Sequence, residues 1–177
     1  MFFAPSALAM RPVLLSLTLL VGSAAAQTGS CDTEAHGRYD FWVGTWDLMW
    51  SAGPDSLGRG TNTISKSYDG CVIEERFEDA GGFEGMSVST LDRRSGQWLQ
   101  TWTDNQASVL RFTGGTAEDG APTFEGTPFT NPQGAEQVNR MTWRNITDDA
   151  LDWHWQRSLD GGETWTDLWV IHYARRH

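Results

Sequence analysis

Tryptophan is concentrated in one part of this chain and recurs there at strand spacing. All 10 tryptophans follow residue 41, and Trp42, Trp46 and Trp50 share one parity of a candidate β-strand. Because alternate side chains of a strand point to the same face, these indoles stack on one side, and Gly44 lets another backbone approach closely. Similar spacing returns at Trp98/Trp102, Trp153/Trp155 and Trp165/Trp169. The pattern predicts a small antiparallel barrel or sandwich lined with aromatic side chains.

Short candidate strands separated by glycine-rich turns make up the rest of the chain. Turns such as Gly53-Pro54-Asp55 and Asp160-Gly161-Gly162 are typical of connections between such strands. Only residues 33–39 and 133–138 have room for a helical turn. The even spacing predicts an all-β fold, a single up-and-down antiparallel β-barrel of about 8–10 strands. The candidate strands are 41–50, 59–67, 70–78, 84–92, 96–104, 108–114, 122–127, 138–146, 150–158 and 164–174.

Residues 1–26 have the pattern of a secretory signal peptide. Arg11 precedes an apolar run from Pro12 to Val21, and Ala24-Ala25-Ala26 provides the small residues of a cleavage site. The run is shorter than the roughly 20 apolar residues of a membrane span, and no later segment approaches that length. We therefore predict a signal peptide (1–26), an N-terminal segment (27–40) and a barrel domain (41–177), exported to the periplasm or secreted.

The chain contains two cysteines, Cys31 and Cys71, and both follow the predicted cleavage site. An exported chain meets an oxidising compartment, so an even pair suggests one disulfide. Closing so long a loop would contribute around 3–4 kcal/mol in the chain-entropy estimate. The alternative is two unrelated buried thiols. Two cysteines without further ligands at a suitable spacing do not indicate a zinc site.

The chain is acidic, with 23 Asp and Glu against 13 Lys and Arg and a formal net charge of −10. Cleavage after Ala26 would also remove Arg11 and make the charge more negative. An acidic surface repels phosphate backbones and anionic membrane faces, and no basic run offsets it. Nucleic acid is therefore excluded as a partner, whereas the sequence leaves the oligomeric state open.

Three segments share the pattern of a known family. They are Asp40-Phe41-Trp42-Val43-Gly44-Thr45-Trp46-Asp47, Gly70-Cys71-Val72-Ile73-Glu74-Glu75 and Gly96-Gln97-Trp98-Leu99-Gln100-Thr101-Trp102-Thr103-Asp104. Together they resemble an uncharacterised family of exported bacterial lipocalin-like domains, related in fold to calycins and nitrobindins. The resemblance covers most of residues 31–174 and implies a small β-barrel with a central cavity, without implying a reaction. Its exported members also support a bridge between Cys31 and Cys71.

The same resemblance implies how one end of the barrel is closed. Lipocalins usually stack the tryptophan of a Gly-x-Trp sequence under an arginine from the last strand. Gly44-Thr45-Trp46 matches the first half of that device. Arg175 shares the parity of Trp169 and Tyr173, so it is expected to supply the second half as a cation–π partner.

Polar side chains accompany the tryptophans on the predicted inward face. Burying them without partners would be costly, so they either bond one another or face a wet cavity. An aromatic pocket with a few polar groups is typical of small-molecule sites. The alternative is an internal strut, in which Arg157 pairs with Asp104 or Asp167 and no ligand binds. The predicted ligand-binding residues are Gln100, Trp102, Asp104, Trp143, Trp155, Arg157 and Trp169.

Two histidines lie in candidate strands. His154 alternates with the indoles of its strand, so it is expected to point outward if they point inward. His172 lies between apolar residues on both sides, where parity decides nothing. Nitrobindins bind haem through a histidine late in the chain, and His172 is the position that loosely matches. We expect no cofactor and no metal, with haem at His172 kept as the alternative.

The segment Ser158–Trp165 has the form of an Asp-box, the hairpin that recurs in sialidase-like propellers. A propeller needs several copies and this chain has one. The segment is therefore interpreted as a hairpin that Asp160 stabilises through side-chain-to-backbone bonds, with Trp165 at its base.

Sequence patterns of hydrolases are missing, so no catalytic residue is assigned. Ser87 and Ser89 lack a nucleophile elbow, and Glu74 and Glu75 lie on opposite faces of their strand. We expect an exported lipocalin-like barrel that binds a small apolar or aromatic molecule in a tryptophan-lined cavity.

Two other functions remain alternatives. One is an enzyme that uses the same cavity, with Asp104 or Asp167 as general base and Arg157 or Gln100 steadying a developing anion. The other is a structural or interaction domain whose tryptophans all belong to the core.

Overall fold

The computed structural model describes residues 31–177. The predicted signal peptide (1–26) lies outside the described residues, as does the beginning of the predicted N-terminal segment. The eleven strands of the described part are β1 (Gly44–Gly53), β2 (Ser56–Ser67), β3 (Val72–Asp79), β4 (Glu84–Asp92), β5 (Gln97–Asp104), β6 (Val109–Thr116), β7 (Pro122–Gly126), β8 (Phe129–Thr130), β9 (Glu136–Arg144), β10 (Ala150–Ser158) and β11 (Thr166–Arg175).

Ten of these strands close into an antiparallel barrel. Each strand from β1 to β6 pairs with the next, β7 pairs with β9, and β9, β10 and β11 follow in order. The last strand returns to the first, with Leu48 of β1 opposite Tyr173 of β11. The two-residue strand β8 forms a short hairpin on β9 outside this ring. The predicted up-and-down antiparallel β-barrel is therefore confirmed.

The first strand begins later than the sequence pattern predicts. Residues Asp40–Trp42 form a short 3₁₀ turn, in which the Val43 amide donates to the Asp40 carbonyl, and β1 starts at Gly44. The indole N–H of Trp46 donates to the Trp42 carbonyl at 2.8 Å, which holds this turn against the strand. Parity therefore does not carry through Trp42, although its side chain is buried as the pattern implies.

The N-terminal segment plugs one end of the barrel. Tyr39 and Trp42 are almost fully buried there, and the Tyr39 hydroxyl donates to the Thr123 carbonyl at 2.8 Å. From the wall, the indole N–H of Trp98 donates to the Ala35 carbonyl at 2.9 Å. Tyr39 stacks on Phe124, with ring centres 4.6 Å apart. This end of the barrel is consequently a solid aromatic core.

A disulfide, an ion pair and a hydrogen bond fasten the plug to the barrel. Cys31 and Cys71 are bonded, with their Cα atoms 4.9 Å apart, which confirms the predicted bridge. The ammonium of Lys66 lies 2.6 Å from the Asp40 carboxylate. The Arg38 guanidinium donates to the Gly115 carbonyl at 2.8 Å. These contacts tie the segment to three different strands or turns.

Arg175 closes the same end from the last strand. Its guanidinium carbon lies 4.0 Å from the centre of the Trp46 ring, which confirms the predicted cation–π pair. Two guanidinium nitrogens donate to the carbonyls of Val43 and Phe41, at 2.7 and 3.2 Å. Gly44 runs directly beneath this group. Among residues 31–177, no helix has the length and apolarity needed to cross a membrane.

Candidate functional site

A cavity of about 200 Å³ lies inside the barrel, toward the end opposite the plug. Its walls come from six strands, β3, β5, β6, β9, β10 and β11, and from the turn between β3 and β4, so distant parts of the chain enclose it. Nearly all of the surface is apolar. The lining residues are Glu75, Phe77, Phe83, Trp102, Leu110, Phe112, Met141, Trp153, Trp155, Trp169, Ile171 and Tyr173.

Aromatic rings that contact one another edge to face build the cavity walls. Trp169 is perpendicular to Trp153, with ring centres 5.9 Å apart, and meets Phe77 at 6.1 Å. On another wall, Phe112 meets Trp155 edge to face at 5.8 Å. Edge-to-face pairs are a favoured arrangement of aromatic rings and hold each ring in a defined orientation. The cavity therefore has shaped walls that present both ring faces and ring edges.

Among the residues that line this cavity, Glu75 alone carries an acidic or basic side chain, and it is buried. Its strand alternates Ile73, Glu75 and Phe77 on the inward face. One carboxylate oxygen accepts from the Asn62 amide at 2.7 Å, and the other accepts from the Ser87 hydroxyl at 2.6 Å. The carboxyl group therefore sits in a fixed position at the border between the apolar cavity and the polar interior.

Burial governs the ionisation of the polar groups near the cavity. Desolvation raises the pKa of Glu75, and the hydrogen bonds from Ser87 and Asn62 offset part of that rise. The pKa of the Tyr173 hydroxyl is also raised, first by desolvation and then by the nearby Glu75 carboxylate. Among the ion pairs of residues 31–177, none includes Glu75. The carboxyl group thus has neutral hydrogen-bond donors and no cation beside it.

Trp102 lines the cavity as predicted, and Asp104 holds it in place from the rim. One carboxylate oxygen of Asp104 accepts from the Trp102 indole at 3.0 Å. The other accepts from the backbone amides of Gln106 and Ser108, each at 3.0 Å. These bonds, the one from Trp102 foremost, lower the pKa of Asp104. Asp104 is therefore a weak base that positions an indole, and it does not line the cavity itself.

Gln100 points into the barrel one row deeper than Trp102. Its side chain is 2% exposed, and it lies opposite Ser89 on β4. Within residues 31–177, no partner reaches either amide atom of Gln100 or the hydroxyl of Ser89. Burying polar groups without hydrogen bonds is costly, and buried groups of this kind commonly bind ordered water. The interior therefore becomes polar immediately below the aromatic cavity.

The other predicted site residues divide between the cavity and the rest of the barrel. Trp155 and Trp169 line the cavity. Trp143 is fully buried at the plugged end, where its ring meets Trp42 edge to face at 5.2 Å. Arg157 is exposed near the end of β10 and lies outside the lining. Among the described ion pairs, none joins Arg157 to Asp104 or Asp167, so the predicted strut is not present.

A β-bulge turns Asp167 away from the interior. Trp155 lies opposite Trp169, but the next residue, Gln156, lies opposite Asp167, so Leu168 is the extra residue in β11. The bulge reverses the parity of the strand before Trp169. Asp167 consequently accepts a hydrogen bond from the outward-facing Gln156 at 2.8 Å. The inward orientation expected for Asp167 is wrong for this reason.

Both strand histidines lie on the outer surface. His154 faces outward as predicted, with Nδ1 3.2 Å from an Asp167 carboxylate oxygen. His172 also faces outward, and its Nδ1 lies 2.5 Å from the Asp152 carboxylate. With a side chain 60% exposed, His172 does not reach the cavity. Haem ligation from within the barrel by His172 is therefore not compatible with this geometry.

The Asp-box segment is a hairpin, as the sequence predicts. The Asp160 carboxylate accepts from the Ser158 hydroxyl at 2.6 Å and from the Thr164 amide at 2.9 Å. These bonds lower the pKa of Asp160 to about 2. The Trp165 ring lies under the Arg140 guanidinium carbon, 3.8 Å away. The hairpin is thus a self-contained structure on the outside of the barrel.

The sequence pattern missed Glu75, although a signal for it was present. It alternates with Ile73 and Phe77, and a single carboxylate between two core residues of one strand face indicates a buried charge. Asn62, which holds it, carried no such signal. Across the described range 31–177, no group of three or more His, Cys, Asp or Glu side chains is arranged to hold a metal ion.

No family model matches this chain, and no curated protein matches it. Among solved structures, a de novo designed fluorescence-activating β-barrel is 14% identical over 77% of this chain and 95% of the designed chain. Its TM-score is 0.39. The fold described above is established by the strand pairing of this chain itself.

Proposed function

We propose that this protein is an exported, lipocalin-like barrel that binds a small apolar or aromatic molecule in its tryptophan-lined cavity. The observation that carries the proposal is the cavity itself, which lies among Trp102, Trp155 and Trp169 at the end of the barrel opposite the plug. Binding sites for small molecules are concave, mostly apolar and carry a few fixed polar groups. This cavity has that composition, with Glu75 as a fixed polar group.

The volume of the cavity supports a ligand with one aromatic ring. An apolar cavity of about 150 Å³ is large enough for benzene. The present cavity, at about 200 Å³, leaves room for a ring with a short substituent. Its size is below the range of roughly 300–1,000 Å³ that drug-sized ligands occupy. We therefore propose compact aromatic molecules rather than lipids or extended chains.

Two features support export as the setting of this function. The Cys31–Cys71 disulfide is compatible with an oxidising compartment, because structural disulfides persist there and are rare in the cytosol. Residues 1–26 fit a cleaved secretory signal, because a basic residue is followed by a short apolar run and then by small residues.

A separate feature supports the proposed lipocalin-like class. The tryptophan of the Gly44-x-Trp46 sequence is stacked under Arg175.

Calorimetric titration with a panel of compact aromatic molecules tests the proposal. The blocking variant is Leu110→Trp, because Leu110 lies in the lining and is 40% exposed, so a larger side chain can fill the cavity without distorting the core. The matched control is Leu57→Trp, since Leu57 is 60% exposed in β2 and lies outside the lining.

We expect saturable binding of at least one panel member to the wild type and to Leu57→Trp, with affinity reduced about tenfold or more in Leu110→Trp. Equal affinity in both variants would place the binding elsewhere. Absence of binding across the panel would overturn the proposed function.

A further inference from the structure

Among the described residues 31–177, no basic side chain forms an ion pair with the buried Glu75 carboxyl group. Folding removes it from water, and only two neutral groups, the Asn62 amide and the Ser87 hydroxyl, donate hydrogen bonds to it. Buried carboxylates are normally paired with a cation, because an unpaired buried charge is expensive. Each carboxylate oxygen can accept a further hydrogen bond, since an ionised carboxylate has about four acceptor positions. Glu75 can therefore accept a donor that enters from the cavity.

The walls around this carboxyl group also favour a cation. The faces of indole and phenyl rings carry negative potential and attract ammonium groups within about 6 Å, with tryptophan the most effective. Phe77 lies in the same strand as Glu75, one inward position along, and its ring contacts both Trp102 and Trp169. A positively charged group beside Glu75 would thus meet a carboxylate on one side and aromatic rings on the others.

We infer that the cavity binds a small arylalkylamine in its protonated form, with the ammonium group against Glu75 and the ring among Trp102, Trp155 and Trp169. This inference rests on the proposed function and specifies its ligand class. The net charge of −10 acts in the same direction, because it attracts cations and repels anions at long range. The cavity volume limits the amine to one ring with a short linker.

Three probes of nearly equal size separate charge from shape. Phenethylamine is the cation, phenethyl alcohol is a neutral counterpart, and hydrocinnamate is an anion of similar length. We expect phenethylamine to bind the wild type about tenfold or more tightly than the alcohol near neutral pH, with no detectable binding of hydrocinnamate. Titration calorimetry measures all three under one set of conditions.

The variant Glu75→Gln identifies the group responsible. Glutamine has nearly the same size and keeps an oxygen that can accept a hydrogen bond, so the cavity shape is preserved. We expect the preference for phenethylamine over the alcohol to fall to about twofold or less in this variant, while the alcohol binds as it does to the wild type. The matched control is Glu74→Gln, because Glu74 precedes Glu75 in β3 and points to the other face.

The outcomes separate this inference from the function on which it rests. Equal binding of the amine and the alcohol to the wild type, or a preference that survives Glu75→Gln, would overturn the cation site and leave an apolar binding protein. Failure of all three probes and of the wider aromatic panel would overturn the proposed function as well. Should Glu75→Gln not fold, the comparison of probes on the wild type still decides the charge preference.

Discussion

The guanidinium of Arg175 lies over the Trp46 ring and directly above Gly44, so that a methyl group at position 44 would collide with its Nη1 atom. Three residues from opposite ends of the chain are therefore interdependent. The glycine leaves space, the arginine occupies it and the indole supports it. Gly44 also has a backbone φ of +146°, a conformation that other residues rarely adopt.

We predict that Gly44→Ala and Arg175→Ala are non-additive. Arg175→Ala removes the cation–π contact and two hydrogen bonds to carbonyls, so we expect a loss of about 2–3 kcal/mol in the free energy of unfolding. Gly44→Ala displaces the same guanidinium and strains the backbone. Once Arg175 is already alanine, Gly44→Ala no longer causes a collision, and it costs only the backbone strain. We therefore expect the two losses in the free energy of unfolding to differ from additivity by about 1–2 kcal/mol, as measured by urea unfolding. Strict additivity would contradict the shared contact.

Loss of the disulfide should release the N-terminal plug. The bridge joins residues separated by 40 positions, for which chain entropy gives a stabilisation of about 4 kcal/mol. We expect the paired substitution of Cys31 and Cys71 by serine to lower the free energy of unfolding by about that amount, and Trp98 to become more exposed because its indole bonds to Ala35. Acrylamide quenching with and without reductant checks this. Unchanged quenching on reduction would show that side-chain contacts alone hold the plug.

Gly85 should matter for binding through Trp102. A methyl group at Gly85 would collide with the Trp102 ring, whereas a methyl group at Gly58 would collide in the same way with Trp50, which lies outside the cavity lining. Each alanine substitution overpacks one indole, and we expect each to cost about 1–3 kcal/mol of stability. Gly85→Ala should weaken ligand binding by about fivefold or more, and more than Gly58→Ala does, because Trp50 acts on the lining through its contacts with Phe77 and Trp169. Calorimetry on both variants measures this, and similar affinities would dissociate Trp102 from the site.

Stability should fall with rising pH because of Glu75. Folding raises the pKa of its carboxyl group from the ordinary value of 4.5, so the folded protein holds the proton more tightly than the unfolded chain. The resulting stabilisation is complete below the unfolded pKa and is lost as pH rises through the folded pKa. Urea unfolding between about pH 5 and pH 8 should show a decline in the wild type that is flattened in Glu75→Gln.

Other carboxylates act in the opposite direction and at lower pH. Hydrogen bonds lower the pKa of Asp92, Asp104 and Asp160, so their contribution is lost as the solution becomes acidic. They therefore do not interfere above about pH 5. A wild-type stability that stays level with pH, or a decline that persists in Glu75→Gln, would contradict a raised pKa at this position.

The sequence predicted the barrel well because its strands obey a period of two over long stretches. The predicted segments 84–92 and 150–158 match β4 and β10 at both ends. Where the period is interrupted locally, prediction failed. The 3₁₀ turn at Asp40–Trp42 depends on backbone hydrogen bonds that leave no mark on residue type, and the bulge at Leu168 shifts Asp167 outward without a glycine to signal it.

The cavity was predicted in outline and less well in its polar groups. Trp102, Trp155 and Trp169 follow from parity because Trp102 stands in a regular strand and the bulge in β11 begins only beyond the Trp155–Trp169 pair. Trp143 has the correct parity too, but depth along the barrel axis places it in the plugged end, and parity carries no information on depth. Parity likewise gave no information on the depth of Arg157, which lies near the other end of the barrel. Its position next to the rim leaves the side chain exposed to solvent.

Because its own N-terminal segment fills the barrel at one end with buried rings, a ligand of the cavity would have to enter and leave on the side away from that segment. Phe83 stands there, on the turn between β3 and β4, with its ring 5.8 Å from Phe77 and 6.3 Å from Trp102. Because Phe83 belongs to a turn and not to a strand, its ring could move without separation of any wall strand.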